Sequence, residues 1–235
     1  ASRDAGGLMD AGRDLAVVLV SGGMDSAVVA AMACRDHEPA FLHLDYGQRT
    51  QERERRSFEA LADHFGVRRR LVARLDPLRA VGGSRLTDAS LPVPGAGRGA
   101  SSVPDTYVPF RNTHLLSAAV SWGEVLGATR IYYGAVEEDS SGYPDCRETY
   151  VEAFNELIRR GTRPETRLSV LAPLLHLTKA GIVREGMRLG APFHLTWSCY
   201  FESEVACGEC ESCLLRLRGF REAGFEDPVP YRRRP

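Results

Sequence analysis

The stretch LAVVLVSGGMDSAVVAAMACRD, residues 15–36, does most to limit what this chain can fold into. Its apolar start predicts a buried strand over 14–20, and its Ala- and Val-rich end predicts a helix over 25–35. The small side chains of that helix permit close packing on a sheet. The stretch therefore predicts a buried strand, a glycine-containing loop and a tightly packed helix in direct succession.

The alternation of strand and helix continues along the chain. Further strands are predicted over 39–46, 68–75, 127–136 and 167–174, with helices over 50–65, 113–126 and 148–160. Strands that alternate with helices of about ten to fifteen residues are typical of crossover units between parallel strands. The sequence therefore predicts an α/β fold with a doubly wound parallel sheet.

Charge and hydropathy limit the partners and the compartment. The 235 residues carry 30 Lys and Arg against 31 Asp and Glu, so the chain lacks the basic surface that dominates affinity for nucleic acid, and a small-molecule partner is favoured. The apolar run at 15–20 is far shorter than the roughly 20 residues that span a bilayer. Residues 1–13 carry charges where a signal peptide is apolar, which predicts a disordered leader on a cytoplasmic protein.

The loop SGGMDS, residues 21–26, has the composition of an anion site. Glycines before a helix N-terminus expose backbone N–H groups to an anion, and Ser21 and Ser26 add hydroxyl donors. Asp25 would repel a phosphate unless a divalent cation lay between them. The loop therefore predicts a site for a Mg²⁺-bound nucleotide; the alternative is an ordinary tight turn.

Several motifs together resemble one enzyme family. SGGMDS is similar to the SGGxDS loop of the ATP pyrophosphatases, which cleave ATP between its α and β phosphates to adenylate a substrate oxygen. With LDYGQR (44–49), YVPFRNT (107–113), SGYPDCRETY (141–150), TWSCY (196–200) and CGECESC (207–213), the chain resembles the 7-cyano-7-deazaguanine synthases from about residue 14 to about residue 227. The resemblance implies an adenine-nucleotide alpha-hydrolase-like fold. It also implies ATP-dependent conversion of 7-carboxy-7-deazaguanine and ammonia into the nitrile, through adenylated acid and amide intermediates.

The resemblance and the positions of the motifs suggest a role for each candidate residue. Catalytic roles fall to Asp25, Ser26 and Lys179. Nucleotide contacts are expected from Val20, Ser21, Gly22, Gly23, Met24, Asp25 and Ser26, and from Tyr46 and Gln48. Substrate contacts are expected from Phe110, Arg111, Asn112, Tyr143, Asp145 and Arg147. Among these, Asp145 would accept the paired donors of a guanine-like edge, Arg147 would pair with a carboxylate or phosphate, and Tyr143 or Phe110 would stack on the flat bicycle.

Simpler structural roles remain open for these residues. Asp145 could instead be the N-cap of a helix with Glu148 at its third position. Arg111 and Asn112 could be a capping pair on the surface, Lys179 could be a solvated helix residue, and Tyr46 and Gln48 could belong to a turn.

Four cysteines near the end of the chain have the spacing of a metal site. Cys207, Cys210 and Cys213 form CxxCxxC, and Cys199 lies eight residues earlier. Four thiolates suit tetrahedral Zn²⁺ and leave no open position for water, so a structural role is expected; an iron–sulfur cluster is the alternative. We expect a nucleotide-binding α/β domain over 14–198 and a zinc-binding segment over 199–235, with ATP, Mg²⁺ and Zn²⁺ as cofactors. The final YRRRP is expected to be a solvated tail.

Two features keep other functions open. Residues 82–104 predict a long flexible loop, either a lid or a passive insertion. Ser140 stands where an aromatic residue is expected from the resemblance. One alternative is a ligase that stops at the amide or joins the deazaguanine carboxylate to a macromolecular amine. An RNA thiolase and a nucleotide-binding zinc module without turnover are less favoured. A homodimer is also expected.

Overall fold

The computed structural model describes residues 13–84, 86–87, 106–136 and 143–234. The strands are β1 (Leu15–Leu19), β2 (Glu38–Asp45), β3 (Arg70–Arg74), β4 (Arg130–Tyr132) and β5 (Ser169–Leu171). The helices are α1 (Met24–Asp36), α2 (Gln51–His64), α3 (Asp76–Val81), α4 (Arg111–Leu126), α5 (Glu148–Gly161), α6 (Lys179–Leu189) and α7 (Glu211–Ala223).

The five strands form one parallel sheet in the order β3-β2-β1-β4-β5. The chain thus starts in the middle, winds outward through β2 and β3, and then crosses back to β4 and β5. The order reverses between β1 and β4, and ligands bind in the crevice beyond the carboxyl ends of strands at such a switch point. This arrangement confirms the predicted doubly wound α/β fold.

Alternating side chains of β1 supply two cores, one on each face of the sheet. Ala16 and Val18 point to the face covered by α1, α2, α6 and α7, whereas Val17 and Leu19 point to the face covered by α4 and α5. Phe220 of α7 packs into the first core together with Ile182 of α6. The C-terminal segment therefore shares a core with the sheet.

The predicted elements are present, with differences at their ends and between them. The fourth and fifth strands are much shorter than predicted, and the sequence analysis set no bounds for α3, α6 and α7. The predicted lid over 82–104 lies largely outside the described residues, as does Ser140. Where residues 82–104 are described, Ser84 and Leu86 are buried. Within the described part of the chain, no helix has both the length and the apolar character needed to cross a membrane.

Candidate active site

The loop after β1 presents free backbone donors to the crevice. Gly23 is the N-cap of α1 and provides no side-chain cap, so the first N–H groups of the helix keep no side-chain acceptor. Ser26 Oγ donates to the Gly23 carbonyl at 2.9 Å, and Ser21 Oγ lies 3.2 Å from Ser26 Oγ. Below the loop, the Val20 carbonyl accepts from Nδ1 of the buried His43 at 2.9 Å. These contacts fix the loop, in which the Gly23 N–H also donates to Ser21 Oγ at 3.3 Å, while the first helical N–H groups after Gly23 receive no side-chain cap.

Asp25 and Lys179 form an ion pair at this loop. Lys179 Nζ lies 3.1 Å from both carboxylate oxygens of Asp25, although the two residues are 154 positions apart in the sequence. Lys179 is the first residue of α6 and is buried, so it is not the solvated helix residue of the simpler interpretation. A side-chain carbon at Gly219 of α7 would overlap Lys179 Cγ, so this glycine gives the lysine its space.

A cavity of about 360 Å³ opens beyond the carboxyl ends of the strands. Most of the predicted site residues line it: Val20, Ser21, Gly23, Met24, Asp25, Ser26, Tyr46, Gln48, Arg111, Asn112, Tyr143 and Lys179. Four predicted residues do not: Gly22, Phe110, Asp145 and Arg147. Gly22 lies in the loop itself, while Phe110 and Arg147 are exposed. The SGGMDS loop, the Asp25–Lys179 ion pair and the start of α4 therefore line the same cavity.

Asp145 is buried at the start of α4, next to the cavity wall. Its Oδ2 accepts the backbone N–H of Asn112 at 3.1 Å, and its main-chain carbonyl accepts from Asn112 Nδ2 and from the Tyr133 hydroxyl. Asp145 Oδ1 is buried with no hydrogen-bond partner among the described residues. The alternative in which Asp145 caps the following helix with Glu148 at its third position is wrong, because α5 begins at Glu148.

The residues after β2 form a hydrogen-bonded group on the cavity wall. Gln48 Oε1 accepts the Tyr46 N–H at 2.9 Å, and Gln48 Nε2 donates to Glu54 at 3.0 Å. The other Glu54 oxygen accepts from Thr50 Oγ1 at 2.8 Å. Burial raises the pKa of Glu54 above its usual value, and burial likewise raises the pKa of Tyr46. The amide of Gln48 is thus largely engaged with the protein, and Glu54 is a cavity residue that the sequence analysis missed.

The four predicted cysteines come together. Sγ atoms of Cys199, Cys207, Cys210 and Cys213 all lie within 4.8 Å of one another, and those of Cys207 and Cys213 are 3.9 Å apart. Tetrahedral Zn²⁺ with bonds of about 2.3 Å requires S···S separations of about 3.8 Å. Backbone N–H groups donate to two of the sulfurs, for example Cys210 N–H to Cys207 Sγ at 3.3 Å. Hydrogen bonds from the Cys210 and Cys213 thiols lower the pKa of Cys199, and the same bonds to Cys199 raise the pKa of Cys210 and of Cys213, so Cys199 is the thiolate of this group.

Trp197 connects the cysteine segment to the loop. Its backbone N–H donates to the Gly22 carbonyl at 2.9 Å, and its indole N–H donates to the Glu202 carbonyl between the first two cysteines. The ring packs against the cysteines, with the Arg53 guanidinium 4.5 Å above its centre. No local pattern in the sequence indicates this connection.

Arg216 holds the residues on both sides of Trp197. It donates to Thr196 Oγ1 at 2.7 Å and to Ser198 Oγ at 3.3 Å, and it forms a two-bond pair with the buried Asp227. Tyr231 of the final segment donates to the same Asp227 at 2.7 Å. The prediction of a solvated tail is therefore wrong at Tyr231.

The comparisons with known proteins agree with one another. A family model described as "Queuosine biosynthesis protein QueC" matches residues 15–224. The chain is 54% identical over 221 residues to a protein of Chlorobaculum tepidum named 7-cyano-7-deazaguanine synthase, covering 94% of this chain and 97% of the relative. A protein of the same name from Acidobacterium capsulatum is 55% identical over 226 residues, covering 94% of this chain and 98% of the relative. The alignment with a solved NMN synthetase from Francisella tularensis, at 11% identity and a TM-score of 0.49, covers 92% of this chain and 79% of that protein.

Proposed function

The chain belongs to the family of queuosine biosynthesis protein QueC, and from this membership we propose that it is an ATP-dependent ligase that makes 7-cyano-7-deazaguanine from 7-carboxy-7-deazaguanine and ammonia. The observation that carries the proposal is the single cavity onto which the SGGMDS loop, the Asp25–Lys179 pair and Arg111 all face. It offers an anion site beside a position for a second, flat ligand.

The chemistry requires two activations. A carboxylate is a poor electrophile because its leaving group would be oxide, so a carboxylate oxygen attacks the α-phosphorus of ATP and pyrophosphate leaves. Ammonia then displaces AMP and gives the amide. Removing the remaining oxygen requires a second adenylation, at the amide oxygen, followed by loss of AMP and protons to the nitrile. In each step the protein has to position the reacting groups and neutralise the charge of the phosphates.

The residues of the loop suit those tasks. The free N–H groups at the start of α1, with Ser21 and Ser26, would bind the phosphates and the departing pyrophosphate. Asp25 would hold Mg²⁺, which when bound neutralises phosphate charge. Lys179, close enough to share the Asp25 carboxylate, would add a second positive charge at the same place. Tyr46 and Gln48 would contact the nucleotide from the neighbouring strand end.

The substrate would lie against the start of α4. Arg111, Asn112 and Tyr143 line that side of the cavity, and Asp145, with its unsatisfied Oδ1, is buried just behind it. Phe110 and Arg147 would contact the substrate only if it reached beyond the cavity.

We also propose that the four cysteines hold a structural Zn²⁺. The mutual spacing of the sulfurs and the N–H donors directed at them support this donor set. Four thiolates leave no position for a reactant, so the metal would tie residues 199–213 together and take no part in the reaction. Metal-binding cysteines are more typical of a reducing compartment than of an oxidising one, where cysteines pair as disulfides, and this supports the cytoplasm as the location.

A homodimer and a boundary near residue 198 complete the proposal. Val125 and Leu157 are exposed on two helices that cover the same face of the sheet, and a partner subunit would remove them from water. Light scattering on the purified protein tests the dimer. The division into 14–198 and 199–235 follows the cysteine motif, with the two parts sharing a core.

The test of the function is product analysis by mass spectrometry. The purified protein, given ATP, Mg²⁺, ammonia and the 7-carboxylate, should yield the nitrile with AMP and pyrophosphate, two ATP being consumed for each nitrile. The 7-amide should yield nitrile with one ATP and no ammonia. Conversion of acid to amide without further reaction would instead support the ligase that stops at the amide.

Asp25→Ala should stop AMP release while the protein stays folded. Asp36→Ala is the matched control, because Asp36 ends the same helix and is exposed. AMP production by Asp25→Ala at the wild-type rate would refute the assignment of the loop.

A further inference from the structure

Arg111, which is partly buried, differs in its partners from Lys179 and Arg216, which are buried in the cavity wall. Lys179 is paired with Asp25 and Arg216 with Asp227. Among the residues the structure describes, no carboxylate lies within ion-pair distance of Arg111; its guanidinium reaches the Tyr46 hydroxyl at 3.4 Å and Asn112 Oδ1 at 3.3 Å. An arginine always carries its charge, and even partial removal of that charge from water is costly when no counterion is in contact with it. The arrangement indicates that an anionic ligand completes the site.

The backbone around Arg111 holds its side chain toward the cavity. The chain enters α4 through Phe110, which has the left-handed φ of 59° that non-glycine residues rarely adopt. Phe110 is exposed, whereas the next residue, Arg111, lines the cavity. The Asn112 N–H is fixed by Asp145. The guanidinium is therefore positioned before any ligand arrives.

Arg111 lies on a different helix from the loop proposed for the phosphates, so the ATP phosphates and the substrate carboxylate would have separate sites. The phosphates have their own site at the start of α1, after β1. Arg111 belongs to α4 and lies beside Tyr143 and Tyr46, whose rings could flank a flat ligand. A guanidinium matches a carboxylate through parallel N–H bonds, whereas a neutral amide offers no charge to pair with.

We propose that Arg111 pairs with the carboxylate of 7-carboxy-7-deazaguanine and thereby selects the acid for the first adenylation; this inference rests on the proposed function. One carboxylate oxygen stays on the guanidinium while the other attacks the α-phosphorus. The new C–O–P bond forms, the bond to the β-phosphate breaks, and pyrophosphate leaves with no change of oxidation state. The charge of the carboxylate disappears at this step, so Arg111 has no carboxylate to hold in the amide stage. Arg147, the arginine that the sequence favoured for this role, lies outside the cavity.

The two stages of the reaction supply the test. In Arg111→Met, kcat/KM for the acid should fall about a hundredfold, since a buried charge loses its partner. kcat/KM for the amide-to-nitrile reaction, measured with the same ATP concentrations, should stay within about threefold of wild type. Arg111→Lys should recover part of the loss for the acid. Binding of 7-deazaguanine, which lacks the carboxylate, should be unaffected.

Several outcomes would overturn the inference. Equal losses for acid and amide would mean that Arg111 contacts phosphate or holds α4 in place, and no loss for either would mean that it contacts nothing in the reaction. An acid-selective loss in Arg147→Met, with Arg111→Met normal, would move the pairing to Arg147. If Arg111→Met does not fold, the same comparison of kcat/KM for the acid with kcat/KM for the amide is made on Arg111→Gln and Arg111→Lys. Failure of the wild-type protein to convert either substrate would instead refute the proposed function.

Discussion

The variant Gly22→Ala, which adds one methyl group, should show how far ATP binding depends on the geometry of the loop and not only on the stability of the protein. Gly22 has φ +87°, and a Cβ there would lie 2.6 Å from the Glu54 carbonyl oxygen and 2.9 Å from Ser57 Cβ. Both neighbours belong to α2. The Gly22 carbonyl is held by Trp197 on the other side of the loop. Because neither neighbour is a flexible side-chain end, Gly22→Ala must move either the loop or the helix.

The chain offers a matched control in Gly66. It also has a left-handed φ, +65°, but a Cβ at Gly66 would have no atom within 4 Å. Gly66→Ala should therefore cost only the left-handed conformation, about 1 kcal/mol. Gly22→Ala adds overpacking of about 1–3 kcal/mol, giving about 2–4 kcal/mol in all. For a chain of this size, 1 kcal/mol corresponds to about 2–4 °C in Tm, so the two variants should be clearly distinguishable.

Thermal unfolding and the KM for ATP, measured on both variants, test this reasoning. Gly22→Ala should raise the KM for ATP at least about tenfold, because displacement of about 1 Å at an active site is enough for losses of that order. Gly66→Ala should leave it unchanged. If the two variants lose the same stability and bind ATP equally well, the loop is not confined by α2 and its glycine is needed only for its φ.

Three further changes test other parts of the site. Cys213→Ser should abolish bound zinc and lower the unfolding midpoint; elemental analysis of wild-type protein that finds no zinc, or finds iron, would count against the metal assignment. Asp145→Asn should weaken 7-carboxy-7-deazaguanine binding about thirtyfold, roughly 2 kcal/mol, with unchanged ATP binding, because the Asp145 carboxylate lies directly behind the cavity wall and holds the N–H of Asn112, which lines it; normal substrate binding and early melting would make Asp145 a cap of α4 only. Arg216→Met should lose about 3–5 kcal/mol in urea unfolding, because Asp227 stays buried without its cation, and a loss below about 1 kcal/mol would contradict the reasoning.

The features that the sequence predicted correctly rest on local patterns. The strand, loop and helix of residues 15–36 are contiguous, and the CxxCxxC spacing brings three thiols together whatever the rest of the chain does. Asp25 stands out in the sequence because a carboxylate inside an anion loop conflicts with phosphate, and the structure places it on the cavity wall, while its role stays a prediction. Patterns of this kind need no knowledge of which distant elements pack together.

The features that the sequence could not predict depend on packing between distant segments. Asp25 and Lys179 meet only because α1 and α6 pack side by side on one face of the sheet. The sequence left open a cap on the helix after Asp145 as the alternative to substrate binding, but a 3-10 turn at Pro144–Cys146 precedes that helix and the Asp145 carboxylate accepts the Asn112 N–H at the start of α4 instead. The sequence favoured Arg147 as the partner of a carboxylate or phosphate, but Arg111, which follows the left-handed Phe110, is the arginine that lines the cavity.

The wall of the cavity explains why the cysteine segment matters to the nucleotide site. Tyr200, Glu211 and Ser212 line the cavity, and all three lie within the span of the four cysteines. The contact of Trp197 with Gly22 joins the same segment to the loop. A metal that holds only this segment together would therefore still set the position of one wall and of one loop carbonyl. Loss of the metal should therefore lower the affinity for the nucleotide as well as the stability of the protein, because both depend on the position of the same backbone segment.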